Sequence, residues 1–227
     1  MLAPMVEWAK QPGVPYRESI QRHATGERKY IRFFAGRGHF AHLRLEVTPS
    51  SAKLCSVTRS HSLEIPESCY HASRAAIFKR FETGPIHGYP MIGVDVNLIQ
   101  GTYLPQYSYP DAFAIVAEMA LDEALSLASL AVLEPWIGMK LQLERSSLPE
   151  VLVILTDLVR ELPVILSSGE ILMVNAEVPA RLLPAIRKKL NLRSLDTFSL
   201  RDEFEYRIAF NVIPKSGQPG IPLDDWT

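Results

Sequence analysis

Cysteine is scarce. The 227 residues hold two, Cys55 and Cys69, too few for a disulfide framework and not at the spacing of a zinc site. No Gly-x-x-x-x-Gly-Lys-Ser/Thr segment occurs, so no phosphate-cradling loop for nucleotide and magnesium is encoded. A Gly-x-Ser-x-Gly elbow is missing too, which removes the commonest hydrolase signature. Long apolar runs are absent as well. The most apolar stretch, Phe113–Leu133, is interrupted by Glu118, Asp122 and Glu123 and does not read as a membrane span. The start, Met1-Leu2-Ala3-Pro4, lacks the charged and apolar regions of a signal peptide, so a cytoplasmic setting is the default expectation. Charge of one sign is also lacking. Lys and Arg number 24 against 25 Asp and Glu, so any case for a nucleic-acid partner must rest on a local patch.

What is present is the composition of a globular protein, 47% hydrophobic and 22% charged. The length suits two domains of ordinary size. Tyr16–Phe34 reads as extended segments folded at Thr25-Gly26-Glu27, a hairpin turn between two alternating runs. Gly36-Arg37-Gly38 breaks the pattern, and His39–Thr48 alternates as a half-buried strand. A short strand is expected over Leu54–Thr58. Pro66-Glu67 opens a helix running to about Glu82, with an apolar face of Ala72, Ala75, Ala76, Phe78 and Phe81. A strand follows over Met91–Ile99, then an irregular loop from Gln100 to Tyr109. A second helix runs from Pro110 to about Ala128 on a stripe of Phe113, Val116, Ala117, Ala120, Leu121 and Ala124.

Leu133-Glu134-Pro135 marks a domain boundary, because proline ends regular structure. Beyond it the pattern is βαββαβ: strand 136–144, helix 148–160, strands 164–166 and 171–178 around Ser167-Ser168-Gly169, helix 180–190 and strand 204–212. That order fits a ferredoxin-like α+β sandwich. Pro214–Thr227 is rich in Pro, Gly and Ser and reads as a disordered tail.

Arg17, Arg22, Arg28, Lys29, Arg32, Arg37 and Arg44 form a locally basic run. It is either a surface for RNA phosphates or a plain solvated sheet face. Gly36-Arg37-Gly38 is either a tight loop that lets backbone approach RNA or an ordinary turn. Tyr103, Tyr107 and Tyr109, stiffened by Pro105 and Pro110, either stack on exposed bases or pack back on their own domain. His39 and His42, three apart on a strand, point to opposite faces and do not make a metal pair.

Several segments resemble, in order, those of elongation factor G after its third domain. They are Pro15–Ile20, Gly36–His42, Thr83–Pro90, Gly101-Thr102-Tyr103 with Ala112-Phe113, Leu133-Glu134-Pro135 and Ala176–Pro179. The resemblance implies a linker over 1–15 from a missing third domain. It implies a domain IV-like unit over 16–132, with the βαβ arrangement of ribosomal protein S5 domain 2 and its left-handed crossover. A ferredoxin-like domain V follows over 133–213, then the tail, 214–227. It further implies a ribosome-binding module that touches rRNA through Gly36, Arg37, Gly38, His39, Tyr103, Leu104, Pro105, Gln106, Tyr107 and Ser108. Such a module has no catalysis and no metal of its own. GTP and magnesium would belong to a GTPase half in the same or another chain. Leu104 stands where elongation factor G usually holds histidine, and Pro105–Pro110 looks more like the tetracycline ribosomal-protection proteins. Arg160-Glu161-Leu162 replaces the paired-arginine turn of the fifth domain. The alternative reading is a protein-interaction scaffold that no longer binds the ribosome.

Overall fold

The computed structural model describes residues 14–34, 36–159, 163–168, 171–189, 197–200 and 205–209. The chain divides into two compact units, one built on Tyr16–Val132 and the other on Leu133–Phe210.

The first unit holds β1 (Arg17–Ile20), β2 (Ala24–Phe34), β3 (Arg37–Pro49), β4 (Ser56–Arg59), α1 (Glu67–Phe81), β5 (Val94–Thr102) and α2 (Pro110–Leu127). Its sheet runs in the order β2-β3-β5-β4. β2 and β3 are antiparallel, as are β3 and β5, whose register shifts between Arg44 and Leu45. β4 pairs parallel with β5, and α1 makes the crossover between them. One sheet face, carrying Leu43, Leu45 and Val47 of β3 and Val94, Val96 and Leu98 of β5, packs with both helices into a single core. The stripe foreseen on α2 is fully buried, from Phe113 to Ala124. Its spacing of three and four residues keeps every member on one face.

Three expectations fail here, the first two for a physical reason that the structure shows. Gly26 is not a turn. β2 runs straight through it, paired with Leu45. A Cβ at Gly26 would collide with the backbone carbonyl of Ala120 in α2, so glycine is there to let helix and strand approach. On α1 the buried face is Cys69, Ser73, Ala76, Ile77 and Phe81, while Ala75 is exposed. Ser73 hides the stripe from an apolar count. Its hydroxyl is buried but donates to the carbonyls of Cys69 and Phe113, which removes the usual cost of a polar core residue. The strand expected at Met91–Ile99 starts later and extends to Thr102.

The second unit holds β6 (Leu130–Glu144), α3 (Leu148–Val159), β7 (Val164–Ser168), β8 (Ile171–Pro179), α4 (Leu183–Lys189), β9 (Thr197–Leu200) and β10 (Glu205–Ile208), with single 3-10 turns before α3 and α4. β8 lies between β7 and β6, all antiparallel, and β9 and β10 pair with β6. The result is the mixed α+β arrangement with two sheets. Ile137, Met139, Leu141 and Leu143 turn inward from β6 against Val151 and Leu155 of α3 and Ile186 of α4.

The expected break at Leu133-Glu134-Pro135 does not occur in the backbone. β6 continues through it, and Pro135 sits opposite Tyr206 of β10. The chain nevertheless changes unit at this point. β9 was not foreseen. Helix 180–190 is a 3-10 turn followed by a shorter α4. The segments 1–13, Arg160-Glu161-Leu162, Gly169 and the tail from Pro214 lie outside the described residues.

Candidate nucleic-acid interface

The β2–β3 hairpin closes at Gly36, whose φ of 76° is a left-handed conformation that glycine adopts without strain. Arg37 and Gly38 are not loop residues. They already pair in the ladder with Phe34 and Phe33. Beside this hairpin end runs the segment 103–109 that links β5 to α2. The amide of Phe40 donates to the carbonyl of Tyr107 at 2.7 Å. The Ser108 hydroxyl donates to the carbonyl of Phe40 at 2.8 Å and accepts from the amide of Leu104 at 2.9 Å. Within the loop, the amides of Tyr107 and Ser108 both donate to the carbonyl of Leu104. A buried serine therefore closes the loop on itself and fastens it to β3.

The ring of Tyr107 lies over Gly38, where a Cβ would come within 2.9 Å of it. His39 lies against Tyr109, ring centroids 5.2 Å apart, with its Nδ1 3.9 Å from a carboxylate oxygen of Asp111. The ten residues singled out from the sequence thus fall in one place. Gly36, Arg37, Leu104, Pro105, Gln106 and Tyr107 are exposed, Gly38, His39 and Tyr103 are half-buried, and Ser108 is buried. Tyr103 packs against the core, which favours for this one tyrosine the alternative of packing back on its own domain.

The basic run is less free than its sequence suggests. Arg28 pairs with Glu123 at 2.8 Å, Arg44 lies 3.9 Å from Glu27, and Arg22 donates to the carbonyl of Leu127. Lys29, Arg32 and Arg37 are exposed with no ion-pair partner among the described residues. Local positive charge is therefore concentrated toward the hairpin end.

His42 points to the other sheet face from His39. It is buried, with Nδ1 2.9 Å from the Thr102 hydroxyl and Nε2 2.8 Å from a Glu27 carboxylate oxygen. This hydrogen bond is the main reason the Glu27 carboxyl is held below its ordinary range, with the charges of His42, Arg44 and Lys29 adding to it. Glu46 is lowered in the same way, first by Asn97 and then by His23. Among the described residues no group of three His, Cys, Asp or Glu side chains could hold a metal ion, and no helix is long and apolar enough to cross a membrane.

Sequence reading missed the role of Glu18. Its carboxylate is fully buried and accepts from the amides of Ile86, His87 and Tyr89 at 2.7–3.0 Å. A Cβ at Gly84 would strike that carboxylate. Three backbone donors satisfy the buried charge, and the charge shapes the Thr83–Pro90 turn. Burial and the Glu18 charge push the Tyr89 hydroxyl up.

The family model for elongation factor G, domain IV, matches residues 12–129. Elongation factor G of Thermotoga petrophila is 30% identical over 173 residues, 74% of this chain and 25% of that protein. That alignment is too long for 12–129 and the few residues before it, so it extends into the second unit. Elongation factor G of Thermotoga maritima is 35% identical over 129 residues, 55% of this chain and 19% of that protein. A crystal structure of a Thermus thermophilus protein superposes with a TM-score of 0.73 at 26% identity, covering 87% of this chain and 30% of that one. The chain spans about a quarter of the length of the curated relatives it matches.

Proposed function

This chain belongs to the elongation factor G family through its domain IV, and from that premise we propose that it is a noncatalytic ribosome-binding module whose hairpin and loop end contacts rRNA. The proposed module acts in the cytoplasm. It carries no cofactor, since GTP and magnesium require a phosphate-cradling loop that this sequence does not contain. A GTPase half, in the same or another chain, would supply the driving step.

One observation carries the reading. Gly36–His39 and Leu104–Ser108, more than sixty residues apart in sequence, are stitched together by the Phe40, Tyr107 and Ser108 hydrogen bonds. The result is a narrow end with exposed Arg37 and Tyr107 and few carboxylates nearby. In such an end a guanidinium can fork onto a phosphate, and an exposed ring can stack on an unpaired base. Because the loop is fastened before binding, little ordering entropy is lost on contact.

The test is cosedimentation with ribosomes over a salt series, comparing the chain with a variant carrying Arg37→Ala and Tyr107→Ala. Expected is loss of pelleting on the order of tenfold or more for the variant, and binding that weakens steeply with salt. Equal pelleting of both proteins would remove the tip from the account. A discrete protein partner recovered without ribosomal RNA would favour the interaction scaffold instead.

A further inference from the structure

The sheet of the first unit has a face that no helix covers, and it is not uniform. In the β2–β3 ladder, Ile31 pairs with Phe40 and Phe33 pairs with Gly38. Paired residues of an antiparallel ladder share a face. Ile31, Phe33 and Phe40 are therefore on the side opposite Leu43 and Leu45, which face the helices. Phe33 is 79% exposed and Ile31 69%. Gly38 has no side chain, and the Tyr107 ring fills the space over it, with the Phe33 ring within 3.8 Å of the same point. Two aromatic rings thus meet over one glycine, and Phe40 stands two residues further along the same strand on the same face. Phe33 and Phe40 are diagonal neighbours, about 7–8 Å apart, which leaves room for flat groups to lie on each.

Charge divides the same face in two. Toward the far end lie Glu27, Glu46 and Asp95, engaged by His42, by Asn97 and by Ser56 respectively. The aromatic half has Arg37 at the turn, with no ion-pair partner among the described residues, and Lys29 at its border, exposed and without an ion pair but near enough to Glu27 for the two charges to interact. Aromatic rings on a four-stranded sheet, bordered by the exposed cations Lys29 and Arg37, match the needs of unstacked bases and their phosphates. A protein partner or a second copy of this chain would gain from the rings but would leave Lys29 and Arg37 without a complement.

We infer that the aromatic half of this bare face, Phe33, Phe40 and Tyr107 with Lys29, is a stacking platform for single-stranded RNA. It rests on the ribosome-binding reading but adds a surface to it: RNA leaving the hairpin end continues along the sheet and stops where the acidic half begins. Phe33 is the member least tied to the core, so its replacement tests the platform without disturbing the fold.

The experiment uses the full chain and a fluorescein-labelled oligouridylate of about ten nucleotides, with ribosome cosedimentation and sedimentation velocity in parallel. Expected is binding that Phe33→Ala weakens about tenfold and Phe33→Trp preserves. The slope of log affinity against log salt should be unchanged in Phe33→Ala and reduced by about 0.7 in Lys29→Gln. If Phe33→Ala binds the oligonucleotide as the parent does, the platform is overturned while the tip reading stands. The platform is equally overturned if the parent pellets with ribosomes yet ignores the oligonucleotide. If the parent binds neither, the ribosome reading falls and the platform with it. A dimer that Phe33→Ala dissociates would assign the rings to self-association and overturn the inference.

Discussion

At the scale of single residues, two glutamates organise the first unit, one at the surface and one buried. Glu27 and His42 form a hydrogen-bonded pair on the uncovered sheet face, and the Glu27 carboxyl is lowered mainly by that bond. A carboxyl lowered in the folded state holds its proton more weakly there than in the unfolded chain. Its stabilisation is complete above the ordinary glutamate range and disappears as pH falls through the lowered folded value. Glu27→Gln should therefore lower the melting temperature at pH 6 by about 2–4 °C, a modest figure because Glu27 is half exposed. The gap to the parent should narrow steadily as pH falls below the ordinary glutamate range and through the lowered folded value. A gap that stays constant with pH would mean that the bond, rather than the charge, is what matters. Glu18 is the other organiser. Its partners lie 68 to 71 residues away, which is why no local pattern in Arg17–Ile20 announces a buried anion. The Thr83–Pro90 segment could be recognised by resemblance, but what shapes it was invisible in sequence.

At the scale of elements, legibility followed the range of the forces involved. The α2 stripe was readable because period and burial are properties of a single helix, and all six of its foreseen residues are inside. The α1 face was read one step off, because Ser73 meets its hydrogen-bond needs through Phe113 on another helix. Gly26 was read as a turn, since glycine between alternating segments usually marks one. Its actual neighbour is the Ala120 carbonyl in α2, nearly a hundred residues on. Gly26→Ala forces β2 and α2 apart where both are backbone and neither can yield as a side chain would. The expected cost is about 3 kcal/mol, seen as a shift in the urea midpoint with the slope unchanged. The same substitution at Gly36 meets nothing within 4 Å and is opposed only by its positive φ. A Gly26→Ala midpoint no lower than that of Gly36→Ala would refute the close-packing account. The hairpin end and the segment 104–108 are joined through Ser108 and Phe40, neither of which the sequence marked as a fastener.

At the scale of the whole molecule, the hydrophobic residues sort into two clusters with no shared member. One is centred on Leu43, Leu98 and Phe113, the other on Met139, Leu141 and Leu155. Each has its own helices, and chains with two cores often depart from a single two-state transition. A leucine in either core is replaced at a cost of about 2–5 kcal/mol on truncation to alanine. If the cores are energetically distinct, that cost should fall on one transition at a time. In scanning calorimetry, Leu43→Ala should displace one melting component and Leu155→Ala the other, each leaving its counterpart in place. A single component lowered by both substitutions would show that the units melt as one. In that case the continuous strand β6, which carries the chain across Leu133-Glu134-Pro135 without a break, would be the element transmitting the loss.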